Sequence, residues 1–223
     1  MQLLLNRLIN FLKWPIGILS ILLFMPACSH LWQVMGYIYK HSSNYSMLFY
    51  GFFAYSILWL LWIKQSMMAR WFSTLEHEVT HSIFAIISLN RVVGLHATGG
   101  AGGVMYYHGP SNWIITLSPY FVPTLSLFIL LFLSLVKTSH LSILFFLLGF
   151  SLAYNFLTMW KSIHYLQSDL VQSGWLFVCM FLPTANVLML LIILTALPND
   201  GLNTENSLLY VWQDAMVFME YYF

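Results

Sequence analysis

The chain has 223 residues, 60% of them hydrophobic and 7% charged, with a formal net charge of +1. Soluble domains carry charge on about a quarter of their residues, so this composition excludes an ordinary water-soluble domain and requires a bilayer as solvent. Near-neutral charge without a basic run excludes nucleic acid as a partner. The two cysteines, Cys28 and Cys179, imply neither a disulfide framework nor a metal spacing.

At the N-terminus, Arg7 and Lys13 precede an apolar run as in a signal peptide, and Met25-Pro26-Ala27-Cys28 resembles a lipoprotein cleavage box. Apolar character continues to Tyr39, so the segment reads as a retained first transmembrane helix and residues 1–28 as kept in the protein. Stretches of about 20 apolar residues then predict six spans, at 14–39, 45–63, 71–89, 113–136, 141–160 and 170–197. The expected architecture is an all-α polytopic membrane protein, with residues 1–199 as one integral-membrane domain and a catalytic core at about 66–199. With the N-terminus in the cytoplasm, Arg7, Lys13, Lys64, Arg70 and Lys137 lie inside, and Lys40, Arg91 and Lys161 outside, the bias expected of cytoplasmic loops.

Two segments depart from the apolar-helix pattern. Between the third and fourth spans, β-prone runs at 92–97 and 104–108 flank Thr98-Gly99-Gly100-Ala101-Gly102-Gly103, which reads as a glycine-rich β-hairpin. The polar, acidic tail at 200–223 carries Asp200, Glu205, Asp214 and Glu220 among apolar clusters; it suits a short interfacial helix or a loosely ordered tail.

The third span contains His77-Glu78-Val79-Thr80-His81. Residues four apart on an α-helix differ by about 40° of rotation and 6 Å of rise, so both imidazoles can hold one metal ion. Glu78 projects beside them, within reach of a metal-activated water without being a ligand, as a general base requires. Charged groups inside a membrane helix are costly and mark function. Zinc in a catalytic site takes three protein ligands and leaves a fourth position open. Before residue 200 the only carboxylates are Glu76, Glu78 and Asp169. Glu76 is adjacent to His77 and poorly placed to share its ion, so Asp169 is the carboxylate candidate, with His164, His108 and His96 as alternates. Asp169 also suits a helix N-cap. His30, His41 and His140 lack a spaced partner and read as polar contacts or interfacial residues. Asn155, inside the fifth span, is a candidate for holding substrate or for helix packing.

From about Trp71 to Trp175 the chain resembles the site-2 protease family of intramembrane zinc metalloproteases, particularly its small bacterial members. The resemblance rests on His77-Glu78-x-x-His81 in a membrane helix, the hairpin at 94–108, Ser118-Pro119-Tyr120-Phe121-Val122-Pro123 opening the next span, and Asp169 before Leu170 and Gly174. It implies one zinc per chain on His77, His81 and Asp169, with Glu78 as base. Gly100, Gly102, Gly103 and Asn155 are the substrate-binding candidates, and the substrate is a membrane protein with a transmembrane helix. A multi-pass protein of a bacterial inner membrane follows from the same resemblance.

The chain departs from the family at Thr80, where the family commonly has glycine, and at Ser168-Asp169-Leu170, a reduced form of the usual aspartate signature. Two apolar segments separate the hairpin from Asp169. If both span fully, Asp169 lies toward the opposite face from His77; a re-entrant turn at 162–168 or a partial fourth segment would reunite them. The competing functions are a metal transporter, a non-catalytic scaffold, and a membrane-anchored protease with a cytosolic active site.

Overall fold

The computed structural model describes residues 1–100, 102–133, 141–197 and 202–222; Lys137 and His140, weighed above, lie outside them. Its elements in order are α1 (Gln2–Phe11), α2 (Lys13–Lys40), α3 (Ser42–Leu61), α4 (Met67–Ile87), β1 (Arg91–Ala97), β2 (Gly103–His108), α5 (Trp113–Leu117), α6 (Thr124–Leu133), α7 (Leu141–Ser162), α8 (Ser168–Ser173), α9 (Trp175–Thr195) and α10 (Thr204–Tyr222). The two strands form one antiparallel hairpin, with Arg91 opposite His108, Ala97 opposite Gly103, and a bulge between Val92 and Gly94.

Among the described residues three helices, α2, α7 and α9, are long and apolar enough to cross a membrane. A fourth span is present if Trp113–Tyr120 and Thr124–Leu133, bent by 76°, act as one. The expected six are therefore not all recovered, and the sequence gives the reasons. Segments 45–63 and 71–89 do form long helices, α3 and α4. However, serines and tyrosines dilute the apolar character of α3, and α4 carries Arg70, Glu76 and Glu78. Segment 113–136 breaks after Ser118-Pro119-Tyr120, just ahead of Pro123, because proline withholds the N–H that a continuous helix needs. Segment 170–197 is interrupted at Gly174, whose φ of 80° suits glycine, separating α8 from α9.

Close approach of backbones holds α3 and α7 together. A Cβ on Gly51 would collide with the Phe146 carbonyl, and one on Gly149 with the Leu48 carbonyl. Glycine at both positions lets α3 and α7 cross tightly, as small residues do where the hydrophobic effect no longer drives helix association. Tyr45, Leu48, Phe145 and Leu148 extend this contact into the main core. A second core, formed by Trp113, Leu117, Tyr120, Leu170, Phe177 and Leu182, fastens α5 and α8 to α9.

α1 is polar toward the protein and apolar outward. Gln2, Asn6 and Asn10 recur every four residues, while Leu4, Leu8 and Phe11 are exposed. Asn6 is fully buried; its amide donates to the Ser88 carbonyl (3.1 Å) and its oxygen accepts from Asn112 (2.6 Å). Asn112 in turn caps α5 by accepting from the Ile115 N–H at 3.0 Å, satisfying a donor that a helix start leaves free. This chain of amides ties α5 to α1 and to the end of α4. At the other end of the sequence the acidic tail forms α10, which buries Ser207, Val211 and Ala215 at helical spacing and packs against α2.

Candidate active site

α4 begins at Ser66, whose hydroxyl accepts from the Ala69 N–H, and about three turns later it presents His77 and His81 on one face. Asp169 approaches them from the first turn of α8. Its Oδ2 lies 3.4 Å from His77 Nε2 and 3.4 Å from His81 Nε2. Zinc–ligand bonds of about 2.0–2.2 Å at tetrahedral angles put ligand atoms about 3.3–3.6 Å apart; the two edges at Asp169 match that spacing, and the three ligand atoms lie within 4.8 Å of one another. Among the described residues this trio is the group of His, Cys and acid side chains that could hold a metal.

Each partner is oriented from behind. His81 Nδ1 donates to the Ile115 carbonyl at 2.6 Å, which leaves the Nε2 lone pair facing Asp169; such backing hydrogen bonds fix the tautomer of metal-binding histidines. The acceptor belongs to α5, the helix held by the Asn6–Asn112 pair. Asp169 accepts a hydrogen bond from the Tyr120 hydroxyl at 2.9 Å. Burial pushes the Asp169 carboxyl up, but the His77 and His81 imidazoles and the Tyr120 hydroxyl beside it outweigh burial and hold it below the usual carboxylate range. It stands as an anion, the form a cation requires.

Glu78 is buried beside the trio and faces the start of β2. A Cβ on Gly103 would fall 2.6 Å from Glu78 Cγ and 2.7 Å from Thr74 Cγ2, so only glycine lets the hairpin lie this close over Glu78. Gly102, at φ 82°, closes the hairpin turn in a conformation that glycine tolerates. Arg70 Nε donates to the Gly99 carbonyl at 2.9 Å and ties the hairpin tip to α4. The resulting cleft, of about 710 Å³, is lined by His77, Glu78, His81 and Asp169, and by Gly100, Gly102 and Gly103 of the hairpin.

The remaining candidates separate cleanly. His164 lines the cleft but is exposed and outside the trio; His96 and His108 are exposed on the hairpin. Asn155 does not line the cleft. Its amide donates to Ser126 Oγ at 2.8 Å, and it borders a separate cavity of about 270 Å³ together with Glu76 and Asn186. His30 is buried against Tyr210, and His41 bonds the Tyr37 carbonyl. His77 and Asp169, separated by two apolar segments in the sequence, meet directly at 3.4 Å; the first of those segments is bent by 76°, and Tyr120 at the bend touches both residues. Tyr120 and the Ile115 carbonyl are the positions that residue-by-residue reading missed. The two prolines flanking Tyr120-Phe121-Val122 were the available signal, since they mark a break within an otherwise apolar run.

Residues 50–199 match the family model described as Peptidase M50B-like. No curated protein and no solved structure matches the chain.

Proposed function

The chain belongs to the M50B-like peptidase family, and hence to the site-2 protease family. From that membership we propose an intramembrane zinc metalloprotease that hydrolyses peptide bonds in or beside transmembrane segments of membrane-protein substrates. One observation carries the reading: Asp169 Oδ2 lies 3.4 Å from the Nε2 atoms of both His77 and His81, beside the buried carboxylate Glu78. A lone cluster of this kind among the described residues favours a single reaction centre over a transport path, which would set ligating groups along successive helices.

A zinc ion held by His77, His81 and Asp169 would supply Lewis acidity toward the scissile carbonyl and lower the pKa of water at its open position. Glu78 takes a proton from the attacking water and returns it to the leaving amine nitrogen. The substrate helix must unwind first, because a helix spends its carbonyls and N–H groups internally. Gly100, Gly102 and Gly103 leave the hairpin backbone bare where it borders the cleft, and an unwound strand can add to that edge through main-chain hydrogen bonds. Arg70 steadies the hairpin by its bond to Gly99. The orientation with the N-terminus in the cytoplasm, and a bacterial inner membrane as the location, belong to the same proposal.

The test is Glu78→Gln in purified protein given a substrate with a transmembrane helix. The variant retains one zinc per chain and loses cleavage by about 10²–10⁴-fold, the contribution of a positioned acid–base group. An unchanged cleavage rate overturns the assignment of the base.

A further inference from the structure

Asp169 offers two oxygens, yet everything converges on one. Oδ2 is the atom 3.4 Å from both imidazole Nε2 atoms, and it also accepts the Tyr120 hydroxyl at 2.9 Å. Tyr120 has almost no freedom to do otherwise. It is 1% exposed, its ring stands edge-on to His77 at 5.2 Å and 87°, and its carbonyl accepts from Asn186 of α9 at 3.0 Å. The residue ends the short turn at the break between α5 and α6, so its place is set by three elements packed around it.

We propose that Tyr120 is a positioning residue that restricts Asp169 to one ligating oxygen and so keeps a position at the metal open for water. The inference rests on the metalloprotease reading. A carboxylate can engage a cation with one oxygen or with both. Ligation through both fills a position that a hydrolytic site must leave vacant. Turning Asp169 so that both oxygens face the imidazoles pulls Oδ2 from the Tyr120 hydroxyl, which is buried and whose other side-chain partner, the Gln167 amide, donates to it. Buried hydroxyls resist losing their partner, so the hydrogen bond opposes that rotation. The tyrosine acts through Asp169 and touches no reacting atom.

The experiment replaces zinc by cobalt, whose visible absorption is intense in four-coordinate sites and weak at higher coordination. Tyr120→Phe removes one hydroxyl and keeps the ring against His77. In the variant the cobalt bands weaken, cobalt affinity measured by chelator competition falls about 10-fold, the low end for loss of a residue behind a metal ligand, and kcat drops with KM unchanged. A spectrum and an affinity identical to those of the unsubstituted protein overturn the proposal and reduce Tyr120 to a packing residue. The unsubstituted protein gives a second reading that needs no variant. The carboxylate infrared bands of isotopically labelled aspartate in the zinc form must show one-oxygen ligation, and two-oxygen ligation refutes the role. A protein that binds neither cobalt nor zinc removes the metalloprotease reading and this inference together. A metal-loaded protein with normal bands in Tyr120→Phe removes this inference alone.

Discussion

Two carboxylates two residues apart on α4 lead to different surroundings. Glu78 lines the cleft among histidines, hydroxyls and bare glycine backbone. Glu76 borders a smaller cavity walled by Pro119, Phe121, Leu152 and Phe156 and lies by the Leu125 amide at the start of α6. Two residues turn an α-helix by about 200°, so one helix faces the candidate site on one side and the helix packing on the other. Thr80, four residues after Glu76, shares the architectural side; its hydroxyl meets that of Thr124 at 2.6 Å. The site-2 protease family commonly has glycine at this position, and here the hydroxyl gives α4 a polar hold on the start of α6. An acid beside a zinc motif is therefore not functional by proximity; the helical phase decides which face it serves.

The chemical side is the more sensitive, and the hairpin offers the largest effect. Gly103→Val places branched carbon where Glu78 and Thr74 already sit within 2.7 Å of a Cβ. The hairpin must lift or Glu78 must turn away. A displacement of about 1 Å at a reacting group can cost about 10²-fold in rate, so cleavage should fall by at least that factor while zinc content stays at one per chain. Normal cleavage in this variant would show that the hairpin does not govern Glu78.

The same division explains what could be read without coordinates. His77, Glu78 and His81 were legible because their spacing is local to one helix, and Asp169 because acids before residue 200 are so few. The hairpin was legible from its glycines. Tyr120 was not, being one of 13 tyrosines, and its hydrogen bond exists only because the chain breaks by 76° and brings 49 residues of separation to 2.9 Å. α1 was missed for a related reason. Its leucines look like the start of a membrane segment, and the purpose of Gln2, Asn6 and Asn10 is set by Ser88, Asn90, Ser111 and Asn112, far along the chain. The helix lies outside the matched residues 50–199 yet steadies α5, whose Ile115 carbonyl holds His81.

On the architectural side, Glu76→Leu removes the carboxyl oxygen that lies by the Leu125 amide at the start of α6, where first-turn N–H groups need acceptors. Stability should fall by about 1–2 kcal/mol, read from thermal or denaturant unfolding in lipid or detergent. Zinc content should be unchanged, and Glu76→Gln, which keeps an acceptor, should recover part of the loss. Loss of zinc in Glu76→Leu at intact folding would join the two faces that the helix separates.

Asn155 tests the division where it is finest. Its residue type and its place in an apolar span suggested a hand in substrate binding, but its amide donates to Ser126, which also shares a hydrogen bond with Ser151 at 2.9 Å. Polar contacts between membrane helices contribute about 0.6–2 kcal/mol. Asn155→Ala should therefore lower stability by about 1 kcal/mol and leave KM, kcat and zinc content as they were. The opposite pattern, a several-fold rise in KM with unfolding unchanged, would move Asn155 to the substrate. The cavity shared with Glu76 would then be a second place where the peptide is held, and the boundary between the two faces of α4 would have to be redrawn through α7.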